Sequence, residues 1–357
     1  MMLEEFSRIG GGQQLFTHVH NAIREGNVLS LITDRYSAQN LQFKEVFRTS
    51  FSYSEGINLF TLILRVKRLR RQISAIMSKS HYDLVFNNHP NLFLFKGDIN
   101  YLHSFSFLDP IIDEQGIIRN RFIFQAIKKS DIYGIYNEAN FLTHGIFTME
   151  LSKKMFPSLN LNPRSIKYIF TPVSKFYDID FSEKEGVVLT FGRINAEKGL
   201  DLLLNVANNM KDVKFVMAGA VNKGDESYAT YLEERAPPNL KVLRNPSEEE
   251  KRKLYKKAKI YLHTRKNEPY GVTVAEAVSN GCIPVVPESG GPWIDIIEMG
   301  KYGLGFKNFP EDTIRSALGT GNEFAKTILQ SRDRFSIQTF NRKLSDYIQT
   351  IEVSKDI

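Results

Sequence analysis

The sequence predicts an α/β protein of two domains built on parallel sheets, and three observations predict it. The chain has 357 residues, long enough for two domains with separate cores. The stretch KIYLHTRKNEPYGVTVAEAVSNGCIPVVPESGG, residues 259–291, reads as strand, loop, helix and second buried strand, a βαβ unit. Ahead of it, VVLTFGRINAEKGLDLLLNVANNM at 187–210 gives a buried strand, a glycine-containing turn and a helix starting near Lys198.

Composition narrows the class. Charged residues at 24% and hydrophobic ones at 42% describe an ordinary globular protein. No run approaches 18 apolar residues, and the N-terminus has no signal-peptide pattern. The single cysteine, Cys282, excludes internal disulfides and any multi-cysteine metal site, so a cytoplasmic protein is expected. The net charge of +7 is uneven: residues 1–172 hold 20 Lys/Arg against 14 Asp/Glu, the remainder 27 against 26. The excess basic charge is therefore a property of the N-terminal half.

Taken in order, Gly10-Gly11-Gly12 and the amphipathic run to about Arg24 read as a strand-to-helix turn of Rossmann type. Val28 to Ile32 reads as a strand. His18 and His20, two apart on the helix before it, point to different faces and do not make a metal pair. Residues 61–79 read as a helix with Ile63, Val66, Ile73, Ile76 and Met77 at core spacing. Arg65, Lys67, Arg68, Arg70 and Arg71 give it a basic face, read either as solvated or as a dock for anionic lipid. Few aromatics lie near, which argues against nucleic acid as a partner. Strands are expected at Tyr82–Phe86, Ile99–His103 and Tyr168–Val173, the last running into a linker. Asp178-Ile179-Asp180 reads as solvated linker rather than a metal site. Strands at 213–220 and 239–245 follow, then a charged helix from Glu248 with Leu254 and Ala258 facing inward. Helices from about Glu311 and Asp333 finish the chain.

The chemistry gathers in the βαβ unit. Gly271 lets the backbone approach a ligand, and the N–H groups of Gly271, Val272 and Thr273 form an anion site at the helix N-terminus. Glu268 lies just before that end and Glu276 about one turn into the helix. A pyrophosphate on those N–H groups would bring a sugar near Glu268 and a ribose near Glu276, whose two oxygens can accept from both hydroxyls of a cis-diol. Arg193 and Lys198, five apart across a glycine turn, suit a diphosphate as one forked and one point cation.

EPYG…EAxxxGxxPV, with Glu268-x7-Glu276 and Ser289-Gly290-Gly291-Pro292, resembles the signature of glycosyltransferase family 4, the retaining nucleotide-sugar transferases of GT-B fold. The resemblance is close in the C-terminal half and looser in the N-terminal half, where YLHSFSF and TPV lean towards lipid-linked-oligosaccharide mannosyltransferases. It implies two Rossmann-like domains facing across a cleft, expected at 1–176 and 177–335, with a helix at about 336–357 packing back on the first. It implies that Arg193 and Lys198 bind the diphosphate and that the base-binding loop begins at Asn245. It implies further that Tyr270 joins the donor site, that Gly11 and Gly12 face the donor phosphates, and that His103 faces the transferred sugar or acceptor. His144-Gly145 stands where the family has Asn-Ser, so no role is carried over there. The family also places a central strand before the glycine run, yet MMLEEFSRI is not a buried β-run. The expectation is an absent first strand, with the reading frame extending upstream or the sheet rebuilt around the gap.

The reading is a retaining, metal-independent glycosyltransferase without a cofactor, moving a mannose- or glucose-type sugar from a nucleotide-sugar to a glycan or lipid-linked hydroxyl acceptor. The alternatives are another GT-B enzyme of sugar–phosphate synthase type and a non-catalytic sugar- or nucleotide-binding relative.

Overall fold

The computed structural model describes residues 2–4, 11–24, 27–33, 41–48, 59–79, 81–88, 95–104, 124–125, 128–129 and 133–353. The chain divides into two compact units, residues 1–172 with 337–357, and residues 173–336.

The first unit holds β1 (Met2–Glu4), α1 (Gly11–Ile23), β2 (Ser30–Thr33), β3 (Glu45–Arg48), α2 (Leu59–Met77), β4 (Phe86–Asn87), β5 (Ile99–Leu102), β6 (Asn140–Thr143), α3 (Ile146–Met155) and β7 (Ser165–Tyr168). Its seven strands lie in the order β3-β2-β1-β4-β5-β6-β7, and every pairing is parallel. The expected absence of the first strand is corrected here. Met2–Glu4 fills the central place, with Met2 and Leu3 in register with both β2 and β4. A strand hydrogen-bonded on both edges needs only a few residues, so MMLEEF holds it without a long apolar run. Gly11 and Gly12 open α1 rather than forming the turn before it, and Gly10 lies outside the described residues.

Two further strands differ from expectation. The strand expected over Tyr82–Phe86 is confined to Phe86–Asn87. That expected from Tyr168 lies earlier, at Ser165–Tyr168; beyond it the Ile169 N–H bonds back to Thr143, while the Val173 N–H bonds instead to Phe335. Leu15, Phe16 and Val19 of α1 share one core with Leu31, Phe86, Tyr101, Leu142, Phe340, Leu344 and Ile351, so the chain's closing helix, Ile337–Val353, belongs to this unit's core. His18 and His20 are buried, and the His20 Nε2–H donates to the Gln42 carbonyl at 3.1 Å.

The second unit contains β8 (Glu185–Phe191), α4 (Asp201–Asn209), β9 (Lys214–Gly219), α5 (Glu226–Glu234), β10 (Leu240–Arg244), α6 (Glu248–Lys257), β11 (Ala258–Leu262), α7 (Val272–Ser279), β12 (Ile283–Pro287), β13 (Leu304–Phe306), α8 (Glu311–Gly319) and α9 (Asn322–Gln330). The sheet is parallel, in the order β10-β9-β8-β11-β12-β13. Successive strands run outward in one direction from β8 and in the other from β11, so the topological switch point lies between them. Ligands in open α/β sheets bind beyond the carboxyl ends of the strands at such a point.

Local sequence explains the elements that flank it. Ser247 and Glu250 form a capping box that starts α6. Asn280 and Gly281 stop α7, with Asn280 Nδ2 donating to the Glu276 carbonyl at 2.8 Å. The helix expected from Lys198 starts later, at Asp201, because Ala196–Lys198 is a 3₁₀ turn ended by Gly199 in the left-handed region. On α6 the inward residues are Lys251 and Tyr255, with Leu254 half-buried and Ala258 already the first residue of β11. Asp180 accepts from the Ser182 N–H at 2.8 Å and caps a short turn. Asp333 lies in another 3₁₀ turn, Ser331–Phe335, ahead of the closing helix.

Candidate active site

The switch point brings together the loops that follow β8 and β11. Thr264 Oγ1 donates to the Lys198 carbonyl at 2.6 Å, tying the turn after β8 to the loop after β11. Across that tie Lys198 Nζ lies 2.6 Å from Glu268 Oε2, a contact between residues 70 apart in sequence. Arg265 Nη1 lies 3.6 Å from the same oxygen. Burial pushes the Glu268 carboxyl up. The cations Lys198 and Arg265, with His263, outweigh that and hold it at about 2. Arg193, in the same turn as Lys198, is more exposed and sits 3.9 Å from Glu197.

Glycines set the Glu268 loop in place. Gly290 has φ +77, and a Cβ there would lie 2.7 Å from the Glu268 carbonyl oxygen and 2.8 Å from its nitrogen. The Gly291 N–H donates to that carbonyl at 2.8 Å, and Ser289 Oγ accepts from the Asn267 N–H at 3.2 Å. The SGG turn therefore clamps the EPYG turn by backbone contact, which only a residue without a side chain permits. Gly271, at φ +91, then starts α7 and accepts from the Val274 and Ala275 N–H groups at 2.9 and 3.1 Å. The N–H groups of Gly271, Val272 and Thr273 precede the first intrahelical donor, the Val274 N–H, and form the positive end of the helix. Tyr270 is buried, with only 3% of its surface exposed, so its side chain supports the turn.

Glu276 sits one turn into α7 and is buried. Lys251 Nζ donates to its Oε1 at 2.8 Å and the Tyr255 hydroxyl to its Oε2 at 3.1 Å. Burial works against the Lys251 charge, but the Glu276 carboxylate raises the Lys251 pKa above its ordinary value. Thr273 Oγ1 lies 2.7 Å from the Tyr261 hydroxyl. Asn245 ends β10 in the left-handed region, at φ +49, and its Oδ1 accepts from the Val221 N–H at 2.9 Å.

His103, Gly11 and Gly12 belong to the other unit. His103 follows β5 and is half-buried. Its Nε2–H donates to the Asn88 carbonyl at 3.0 Å, which fixes the tautomer. Its own carbonyl accepts from His144 Nε2 at 2.8 Å, and the His103, His144 and Tyr101 rings lie 5.1–5.3 Å apart. His144, to which the sequence reading gave no role, is thus the residue on which His103 rests.

Sequence reasoning also missed Arg265, His263, Lys251 and Tyr255. His263 follows β11, is 6% exposed, and burial lowers its pKa to about 4. The available signal for Lys251 and Tyr255 was their spacing of four on α6, which places them on one face. Among the described residues no three His, Cys, Asp or Glu side chains gather as a metal site.

Residues 175–318 match the family of glycosyl transferases group 1. Among similar proteins, the glycogen synthase of Clostridium kluyveri is 26% identical over 207 residues, 56% of this chain and 42% of that protein. That of Desulfitobacterium hafniense is 34% identical over 115 residues, 31% of this chain and 24% of its own length. The matches thus span less than half the length of these relatives. In three dimensions the chain is similar to sucrose-phosphate synthase from Thermosynechococcus elongatus, with a TM-score of 0.73 at 15% identity over 99% of this chain and 98% of that one. It is also similar to Anabaena HepE in complex with UDP-glucose, with a TM-score of 0.69 at 15% identity and 98% of both chains covered. The chain therefore has the GT-B fold of two Rossmann-like domains, and within it residues 175–318 match the glycosyl transferases group 1 family.

Proposed function

We propose that the protein is a retaining glycosyltransferase that moves a sugar of mannose or glucose type from a nucleoside-diphosphate sugar to a hydroxyl acceptor. The observation that carries this reading is the contact between Lys198 and Glu268 beside the N-terminus of α7, at the sheet's switch point. A phosphate-directed cation and a sugar-directed carboxylate meet there at the positive end of a helix. Arg193, Lys198 and the N–H groups of Gly271, Val272 and Thr273 take the charge of the departing diphosphate, a role that needs no metal in this reading. Lys198 carries three N–H donors, so one ammonium serves Glu268 and a phosphate oxygen together. Glu268 stays ionised at neutral pH and faces the sugar carbon where positive charge develops. Glu276 takes the ribose diol, Asn245 borders the base and Tyr270 holds the turn. In the first unit, Gly11 and Gly12 face the donor phosphates and His103 the sugar or acceptor. The acceptor is a glycan or lipid-linked hydroxyl, met by a cytoplasmic protein that docks to anionic membrane through α2. No helix of the described residues is long and apolar enough to cross a membrane.

The test incubates purified protein with UDP-, GDP- and ADP-sugars and follows release of the diphosphate with and without saccharide or lipid acceptors. Release from one donor, lost in Lys198→Ala, supports the reading. Binding without turnover across acceptors leaves a non-catalytic nucleotide-sugar protein in its place.

A further inference from the structure

Resting on the donor-site reading of Glu276, we propose that Lys251 is a second ribose-recognition residue, so that the Lys251–Glu276 ion pair as a unit receives the nucleotide's diol. The nucleotide motif contains Glu276 alone, and Lys251 reaches it from a different helix.

The geometry begins with an unusual placement. Lys251 lies on the inward face of α6, one turn before the fully buried Tyr255, where an apolar side chain would be the ordinary occupant. Its side chain is 16% exposed, with the ammonium 2.8 Å from Glu276 Oε1 and 5.2 Å above the Phe191 ring at the end of β8. Tyr255, which supplies the other contact to Glu276, is itself stacked on Tyr261, with planes 13° apart and centroids 6.4 Å apart. Both partners of the carboxylate are thus fixed by packing before any ligand arrives.

Counting lone pairs shows what this fixed arrangement leaves open. A carboxylate offers about four acceptor positions, two on each oxygen. Lys251 uses one on Oε1 and Tyr255 one on Oε2, which leaves one on each oxygen. Two acceptor positions, one per oxygen, match the two O–H donors of a cis-diol. The diol hydroxyls are acceptors as well as donors, and Lys251 has N–H groups beyond the one given to Glu276. The pair therefore presents both acceptors and a donor, whereas Glu276 alone presents only acceptors. A ribose gains from both, and a deoxyribose loses one hydroxyl from the match.

The experiment uses the full chain and whichever of UDP, GDP and ADP binds it tightest, with the 2′-deoxy form of the same nucleotide. Dissociation constants are measured for wild type, Lys251→Met and Glu276→Gln. Wild type should prefer the ribonucleotide by about tenfold or more, the value of one charged hydrogen bond. In Lys251→Met that preference should fall at least about threefold, with Glu276 still accepting from the diol and the 2′-deoxy form weakened less than the ribonucleotide. Lys251→Gln keeps an N–H donor towards Glu276 and hence the packing. It carries the same test where Lys251→Met does not fold, with the preference expected to fall at least about threefold. A folded Lys251 variant that retains the wild-type preference overturns the proposal. So does one that weakens both nucleotides in the same proportion, because Lys251 is then only a strut. Failure of the underlying reading looks different: wild type itself shows no preference for the ribonucleotide, or binds none of the three.

Discussion

Glu268 and Glu276 lie eight residues apart but occupy different electrostatic settings, which predicts different failures. In the proposed role Glu276 would hold a ribose equally in ground and transition states, so Glu276→Gln should raise the donor KM and largely spare kcat. The loss should be roughly ten- to a hundred-fold in donor affinity. Glu268 is held ionised by Lys198 and Arg265 and in the proposed role would face developing positive charge, so Glu268→Gln should lower kcat more than it raises KM. Steady-state kinetics with donor varied check both, and the reverse pattern would exchange the two roles. Acid adds a separate prediction. The Glu268 carboxyl, at about 2 when folded, lies below its ordinary value of 4.5. Its contribution to stability is therefore complete above about pH 4.5 and is lost as pH falls towards 2, on the order of 3 kcal/mol in all. Thermal unfolding of Glu268→Gln should accordingly depend less on pH across that window than the wild type does.

At the scale of elements, the SGG turn is what holds the Glu268 loop. Gly290→Ala would place a methyl carbon within 2.8 Å of the Glu268 backbone at a φ of +77. The expected cost is roughly 1–3 kcal/mol of stability, with a loss of transfer activity greater than that of diphosphate binding. Calorimetry paired with kinetics would separate the two, and an active, fully stable Gly290→Ala would refute the clamp. Helix α2 carries the second prediction. Leu69 and Ile73 are buried against Phe47, Ile76 and Met77, while Lys67, Arg68 and Arg71 are exposed. At about 1 kcal/mol per cation near an anionic surface, these three would contribute about 3 kcal/mol. Co-sedimentation with anionic vesicles should fall steeply with salt, because at 0.5 M the screening length is only roughly 4 Å. Binding that ignores salt, or equal binding to neutral vesicles, would reject the membrane dock.

Over the whole molecule, each unit has its own sheet, but the first borrows its last helix from the chain's C-terminus. Residues 173–336 carry all the proposed donor residues of the C-terminal motif, together with Arg193, Lys198 and Lys251. A fragment spanning 173–336 should therefore fold and bind the nucleoside diphosphate by itself, as circular dichroism and calorimetry can establish. Deleting 337–357 should instead damage the first unit, since it removes Phe340, Leu344 and Ile351 from the core around Leu15, Phe16 and Val19. The cost should exceed the roughly 2–5 kcal/mol of a single large core truncation. Hydrogen exchange should place the new lability in α1 and its neighbours, and not in β8–β13.

The sequence by itself determined the α/β class, the βαβ unit and most of the motif. Those signals are local: apolar period, glycine and proline punctuation, and the E-x7-E spacing that sets Glu268 before α7 and Glu276 inside it. Val272–Ser279 lies where the apolar run and Asn280-Gly281 placed it. What it concealed were features decided by partners far along the chain. The strand Met2–Glu4 is legible only as the middle of a sheet, because pairing on both edges and not its own composition makes it β. The charge state and pairing of Glu268 depend on Lys198, 70 residues earlier, and the pairing of Glu276 on Lys251 and Tyr255 from another helix. Such contacts arise when parallel strands place their carboxyl-end loops side by side. Tertiary structure alone chose which cation faces which carboxylate, because strand order is a property of the sheet and is absent from any single stretch of sequence.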